Sequence, residues 1–209
     1  MSLEVLLVFA VTEFLLSLTP GPAVLLVVSQ GMNYGFTHSI RGALGILTGN
    51  AIYFALSALG LGAFLMTSAT LFLAIKWIGA AYLIFVGIKM LLARGKSNEQ
   101  ENDPGVSSRR ALKLFSQGLI TQLSNPKALV FFTALLPQFV SSRGNVFEQF
   151  VLLGVISITV ECPVLLAYGW LAERGRSLLP KGRLSALPDR IAGGLLIGVG
   201  IGLGSIRRA

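Results

Sequence analysis

The sequence predicts an all-α integral membrane protein: six transmembrane helices in a 3+3 inverted repeat, with helices 1 and 4 broken. Three observations carry that expectation. The 209 residues are 54% hydrophobic and only 12% charged, against about 25% charged in soluble domains. Mean hydropathy is +0.76, and apolar runs recur at about 20 residues, the length a helix needs to cross a bilayer. Two of those runs, the first in each half, carry prolines near their centres.

The runs fall at residues 3–32, 39–66, 69–92, 114–140, 147–172 and 189–206. Glu4 stands where a signal peptide carries Lys or Arg, and no small-residue cleavage site follows. The first run is therefore expected to be retained as a span. The long polar stretch, residues 95–110, contains Glu99, Glu101, Asn102, Asp103, Pro104 and Gly105 and reads as a mobile linker. It divides the chain into a first three-helix repeat (1–94), a cytoplasmic polar linker (95–112) and a second three-helix repeat (113–209).

Orientation follows from the basic residues. Six spans put the 1–2, 3–4 and 5–6 connections on one side, which collects Arg41, Arg94, Lys96, Arg109, Arg110, Lys113, Arg174, Arg176, Lys181, Arg183 and Arg190. The other side has Arg143, Arg207 and Arg208, with Lys76 just inside its span. The richer side is cytoplasmic by the positive-inside rule, so both termini are expected outside. The net charge of +8 is thereby assigned to topology and anionic headgroups rather than to nucleic acid.

The first span contains Thr19-Pro20-Gly21-Pro22, and the fourth contains Ser124-Asn125-Pro126-Lys127-Ala128. Each sets a helix-breaking proline near mid-span, and three spans per half make the two halves enter from opposite sides, an inverted repeat. Pro20 cannot donate to the Leu16 carbonyl, nor Pro22 to that of Leu18, nor Pro126 to that of Gln122. Gly21 permits backbone angles that bulkier residues resist. Each break exposes carbonyls at one helix end and amides at the next helix start. Backbone broken at membrane depth is tolerated where protein or a watery cavity supplies partners. Two opposed breaks at one depth suit a zwitterion with an ammonium and a carboxylate close together. The plainer alternative is a pair of kinks that only shape packing.

Polar side chains gather at the same depth. Lys127 lies mid-span 4, Glu161 mid-span 5, Glu13 in the outer half of span 1, and Asn50 near the middle of span 2. Ionisable groups inside a bilayer are costly and usually functional. Lys127 is expected to pair with Glu161 or Glu13 and to meet a substrate carboxylate in exchange, with the released glutamate taking a proton. A static buried ion pair that sets helix register is the competing reading. Gly45, Gly49, Gly194, Gly198 and Gly202 are small residues spaced for close helix approach. Cys162 is the lone cysteine, so no internal disulfide or cysteine-rich metal cage is available. No catalytic motif is present, so no enzyme activity and no cofactor are expected.

Thr19-Pro20-Gly21-Pro22, the glycines 31, 35, 42, 45 and 49, the stretch Gly79-Ala80-Ala81-Tyr82-Leu83, and Asn125-Pro126-Lys127-Ala128 before Phe131-Phe132 resemble the lysine-exporter (LysE/RhtB-type) family along nearly the whole chain. The resemblance implies a bacterial inner-membrane exporter of amino acids or close derivatives, driven by an ion gradient. Ala23 and Asn50 stand where many members carry Asn and an acidic residue. Both changes remove polarity and favour a neutral amino acid over lysine. The expected substrate-binding residues are Pro20, Gly21, Pro22, Asn50, Gln122, Asn125, Pro126 and Lys127, with Glu13 and Glu161 coupling to protons. The expected partners are the amino acid, the bilayer and H+, with homo-oligomer formation left open. Two other readings stay open: an exporter of another solute such as a metal ion, disfavoured by the lack of clustered ligands, and a non-transporting membrane scaffold.

Overall fold

The computed structural model describes residues 1–59, 104–141 and 144–178, with single helical positions between 77 and 91 and between 194 and 201. Regular structure among the described residues is helical. Helix α1 (Leu3–Leu18) starts at Ser2, whose hydroxyl accepts the Val5 N–H, and ends at Thr19 in extended conformation. Helix α2 (Pro22–Tyr34) restarts with proline in its first turn, where a missing N–H costs no intrahelical bond. The two helices meet at 54°. Gly35, at φ +86°, turns the chain into α3 (Phe36–Ala58); a left-handed φ there suits glycine.

Helix α4 (Pro104–Leu123) is followed by α5 (Pro126–Val130), a π-helical turn (Phe131–Leu135) and a 3₁₀ turn (Leu136–Phe139). The segment from Pro126 to Phe139 lies at 45° to α4. Asn145 then accepts the Phe147 N–H at 3.1 Å and opens α6 (Val146–Leu178), a 33-residue helix that continues through Pro163. Among the described residues, helix α6 alone is long and apolar enough to cross a membrane; each bent pair also qualifies if taken as one span.

Two expectations change. Residues 104–110, expected as linker, are helical, because Pro104 occupies a first-turn position where proline is accepted and the polar residues after it continue the helix. The place of the prolines is also refined: setting the first break beside the second puts Pro126, which opens α5, opposite Pro22, which opens α2, rather than Pro20. Most of spans 3 and 6, including Gly79 and Gly202, lies outside the described residues, as does most of the linker.

Helix α3 is the hub, packed on α2, α4 and α6. Its contact with α4 is made by backbone: a Cβ at Gly45 would strike the Phe115 carbonyl, one at Gly118 the Gly42 carbonyl, and one at Gly49 would lie 2.9 Å from Gln122 Cβ. Helices α2 and α6 meet likewise, with a Cβ at Gly31 only 2.6 Å from the Gly169 carbonyl. Two apolar cores result. One is aromatic, built on Phe9, Tyr53, Phe54, Phe131, Phe132 and Phe150; the other is aliphatic, built on Ala23, Val24, Val27, Ala43, Ile46 and Leu165. Along α3 the order is Ile46, Asn50, Phe54, and along α6 it is Leu153, Ser157, Glu161, Leu165. A buried polar layer therefore separates the cores.

Gly45→Val forces α3 off α4, and overpacking of this kind costs about 1–3 kcal/mol. A lower melting temperature in detergent is expected. Gly175→Ala serves as the control, since a Cβ there meets nothing within 4 Å; its melting temperature is expected not to fall.

Candidate functional site

The site grows from the backbone carbonyls at the two breaks, of which Leu16 also accepts the Thr19 N–H at 3.0 Å. At the end of α1, Lys127 reaches across from α5, and its ammonium donates to the Leu16 carbonyl at 2.8 Å and to the Thr19 carbonyl at 3.2 Å. The Tyr168 hydroxyl, from α6, donates to the Leu18 carbonyl at 2.8 Å. At the end of α4, the Tyr53 hydroxyl, from α3, donates to the Leu123 carbonyl at 2.7 Å. The Gln122 carbonyl, expected to be freed by Pro126, is taken by the Asn125 N–H at 3.1 Å. Each break thus receives side-chain donors from the other half of the chain in addition to its own local N–H groups.

The polar layer is a directed chain of amides. Asn125 is fully buried, and its Oδ1 caps α5 by accepting the Lys127 N–H at 3.0 Å. Its Nδ2 donates to Gln122 Oε1 at 3.1 Å, and Gln122 Nε2 donates to Asn50 Oδ1 at 2.5 Å. Asn50 Nδ2 in turn donates to the Glu161 carboxylate. Glu13 accepts the Ser157 hydroxyl at 2.8 Å. Both carboxylates lie near enough to act on the Lys127 ammonium through space.

A cavity opens at the meeting point. Glu13, Ser17, Asn50, Gln122, Lys127 and Glu161 form its polar wall, and Leu16, Ala128, Phe131 and Phe132 its apolar wall. Its free volume is about 30 Å³, room for a water or two rather than for an amino acid. Of the residues singled out in the sequence, Glu13, Asn50, Gln122, Lys127 and Glu161 line it. Pro20, Gly21, Pro22, Asn125 and Pro126 are not among the lining residues. Pro20 is exposed and Pro22 buried, while Gly21 lies beside Lys127, with a built Cβ 3.9 Å from its Cε.

One expectation is corrected here. Lys127 was expected to pair directly with Glu13 or Glu161, yet its hydrogen bonds go to the α1 carbonyls. The carbonyl end of a helix carries partial negative charge and offers free acceptors, so it holds an ammonium without a carboxylate in contact. Sequence reasoning missed Tyr53, Tyr168 and Ser157. A usable signal existed for two of them: Ser157, Glu161 and Tyr168 repeat at helical spacing and share one face of α6.

Tyr53→Phe leaves the Leu123 carbonyl without its side-chain donor, and an unsatisfied buried carbonyl costs about 1–3 kcal/mol. Thermal unfolding in detergent is expected to show the loss. Thr159→Val should change little, since the Thr159 hydroxyl bonds the Val155 carbonyl one turn back within its own helix.

Comparison with known proteins gives the chain a family. A model of the LysE type translocator matches residues 14–206. The chain is 32% identical over 209 residues to the homoserine/homoserine lactone efflux protein of Salmonella typhimurium, covering all of both chains. It is 30% identical over 201 residues to an uncharacterized membrane protein of Vibrio cholerae, covering 96% of this chain and 97% of that one. It is 28% identical over 203 residues to the leucine efflux protein of an Enterobacter strain, covering 95% and 94%. No solved structure matches it. The chain is a membrane protein and belongs to the LysE type translocator family.

Proposed function

We propose that this protein exports neutral amino acids from the bacterial cytoplasm in exchange for protons. The observation that carries the reading is Lys127, whose ammonium rests on the carbonyl end of α1 in a hollow it shares with Glu13 and Glu161. An amino acid brings one cation and one anion. Its carboxylate draws Lys127 towards itself, and the Leu16 and Thr19 carbonyls so released accept its ammonium. The lysine thus holds the place of the substrate's own amine. The family match and the relatives named for homoserine and leucine efflux support the same substrate class.

Glu13 and Glu161 carry the coupling proton in this reading, as ionisable groups inside a span commonly do. The two bent pairs, α1–α2 and α4 with the segment after Pro126, each act as one broken span of an inverted repeat. Both termini face the periplasm. Asn50 in place of an acidic residue leaves the polar wall without the extra negative charge that a cationic substrate would use.

Efflux from vesicles preloaded with labelled homoserine, leucine or lysine tests the proposal. Homoserine and leucine are expected to leave faster than lysine by about tenfold or more, a barrier difference of about 1.4 kcal/mol. Collapsing the proton gradient is expected to slow them. Lys127→Ala and Glu161→Gln should abolish efflux at unchanged membrane abundance. Wild-type efflux by folded protein bearing either change would refute the roles given to those side chains.

A further inference from the structure

A second set of buried polar groups lies between the α2–α3 turn and the cavity, and the polar layer around Glu161 does not use it. Gln30, on α2, is 2% exposed. Its Nε2 donates to the Leu114 carbonyl at 3.4 Å and to Gln117 Oε1 at 3.2 Å. Its Oε1 is buried without a partner and presses on Gly42 so closely that no Cβ fits there. Turning the amide round does not help, because its oxygen would then face the Leu114 carbonyl. Thr121, on α4, is fully buried, and its hydroxyl also has no partner.

These two are the unpartnered buried side-chain atoms among the described residues, and they fall on one line. Leu114, Gln117 and Thr121 share a face of α4, the face that meets Gln30. The next residue, Gln122, is a wall of the cavity and donates to Asn50. Helical rise sets Gln30 about 12 Å beyond the start of α2, so the groups run from depth towards the α2–α3 turn. A seam that never opened would be better served by leucine or valine, because an orphaned polar atom loses its hydrogen bonds to water and regains none. The walls of the seam include Gly45 of α3 and Gly118 of α4, whose contacts are with backbone and leave a smooth surface to part.

We propose that the seam between α2, α3 and α4 is the access route from the cytoplasmic side to the cavity, with Gln30, Gln117 and Thr121 as a polar station for a zwitterionic amino acid. The Gln30 amide oxygen accepts from the substrate ammonium, and the Thr121 hydroxyl donates to its carboxylate. In the closed seam Gly42 holds the first group against backbone. This inference rests on the export reading above.

The test uses single cysteines at positions 30, 121 and 44 in a Cys162→Ser protein that retains efflux, together with Gln30→Leu and Thr121→Val in the natural chain. Leu44 is an exposed apolar residue of α3 and serves as the lipid-facing control. A membrane-impermeant thiol reagent applied from the cytoplasmic side is expected to label Gln30→Cys and Thr121→Cys about tenfold faster than Leu44→Cys, and saturating leucine is expected to slow that labelling. Gln30→Leu and Thr121→Val are expected to lower leucine efflux by about tenfold without lowering the melting temperature. Labelling no faster than at Leu44, or wild-type efflux in both apolar variants, overturns the route. Absence of leucine efflux from the wild-type protein overturns the export reading instead, and the labelling ratio still decides whether the seam opens.

Discussion

The constraint on which the rest depends is the carbonyl with no helical N–H to meet it. In apolar surroundings such a group has no water to turn to, and its desolvation is costly. The two breaks create several of them, among them the Leu18 carbonyl opposite Pro22, while those of Leu16 and Gln122 take the nearby N–H groups of Thr19 and Asn125. The donors that answer come from far along the chain: Lys127 for α1, Tyr168 for α1, Tyr53 for α4. Breaking the helices therefore obliges the two halves to hold each other. The same bonds that close the breaks also draw Lys127, Glu13, Asn50 and Glu161 into one hollow.

The two ends of that hollow are sealed by different physics. Towards the start of α1 and the end of α3, the seal is a packed set of rings, with Tyr53 stacked on Phe132 at 4.7 Å and Phe9 edge-on to Phe139 at 5.1 Å. Aromatic pairs of this kind add to burial through their ring geometry. Towards the α2–α3 turn, the seal is helix backbone against helix backbone, at Gly42 on Gly118 and Gly31 on Gly169. Rings yield by rotamer change one residue at a time, whereas a glycine seam parts only as whole helices move. In the proposed exporter, a cavity closed at one end by side chains and at the other by backbone would have two gates that need not open together, as alternating access demands.

Much of this was legible in the sequence, for reasons that differ by residue. Proline removes an N–H that no context restores, which marked Pro20, Pro22 and Pro126, although α6 continues through Pro163. Charged and amide side chains inside apolar runs are rare enough that Glu13, Asn50, Gln122, Lys127 and Glu161 stood out, and all five line the cavity. Tyr53 and Tyr168 did not, because a tyrosine in an apolar run is equally at home in a core, at an interface or on a lipid face, and only tertiary contact decides. The start of α4 at Pro104 was hidden for the opposite reason: polar composition argues against burial but not against a helix. The choice of carbonyl over carboxylate for Lys127 turned on the direction in which α1 ends, which span lengths alone do not fix.

The amide chain carries one consequence that the geometry makes compulsory. A backbone N–H only donates, so the cap at α5 requires Asn125 to present its oxygen to Lys127. That leaves Nδ2 for Gln122, whose oxygen must then face it, so Gln122 presents its own nitrogen to Asn50. Asn50 is left with a donor at the end of the line, and an acceptor must meet it. Glu161 supplies one in a buried place. The orientation of every amide between the break and the carboxylate is thus set by a single peptide N–H at the start of α5. Any motion of Lys127 that drags its own backbone and loosens that cap reaches Glu161 through three side chains, so the residue proposed to meet the substrate's anion and the residue proposed to hold the coupling proton are joined by hydrogen bonds rather than by proximity alone.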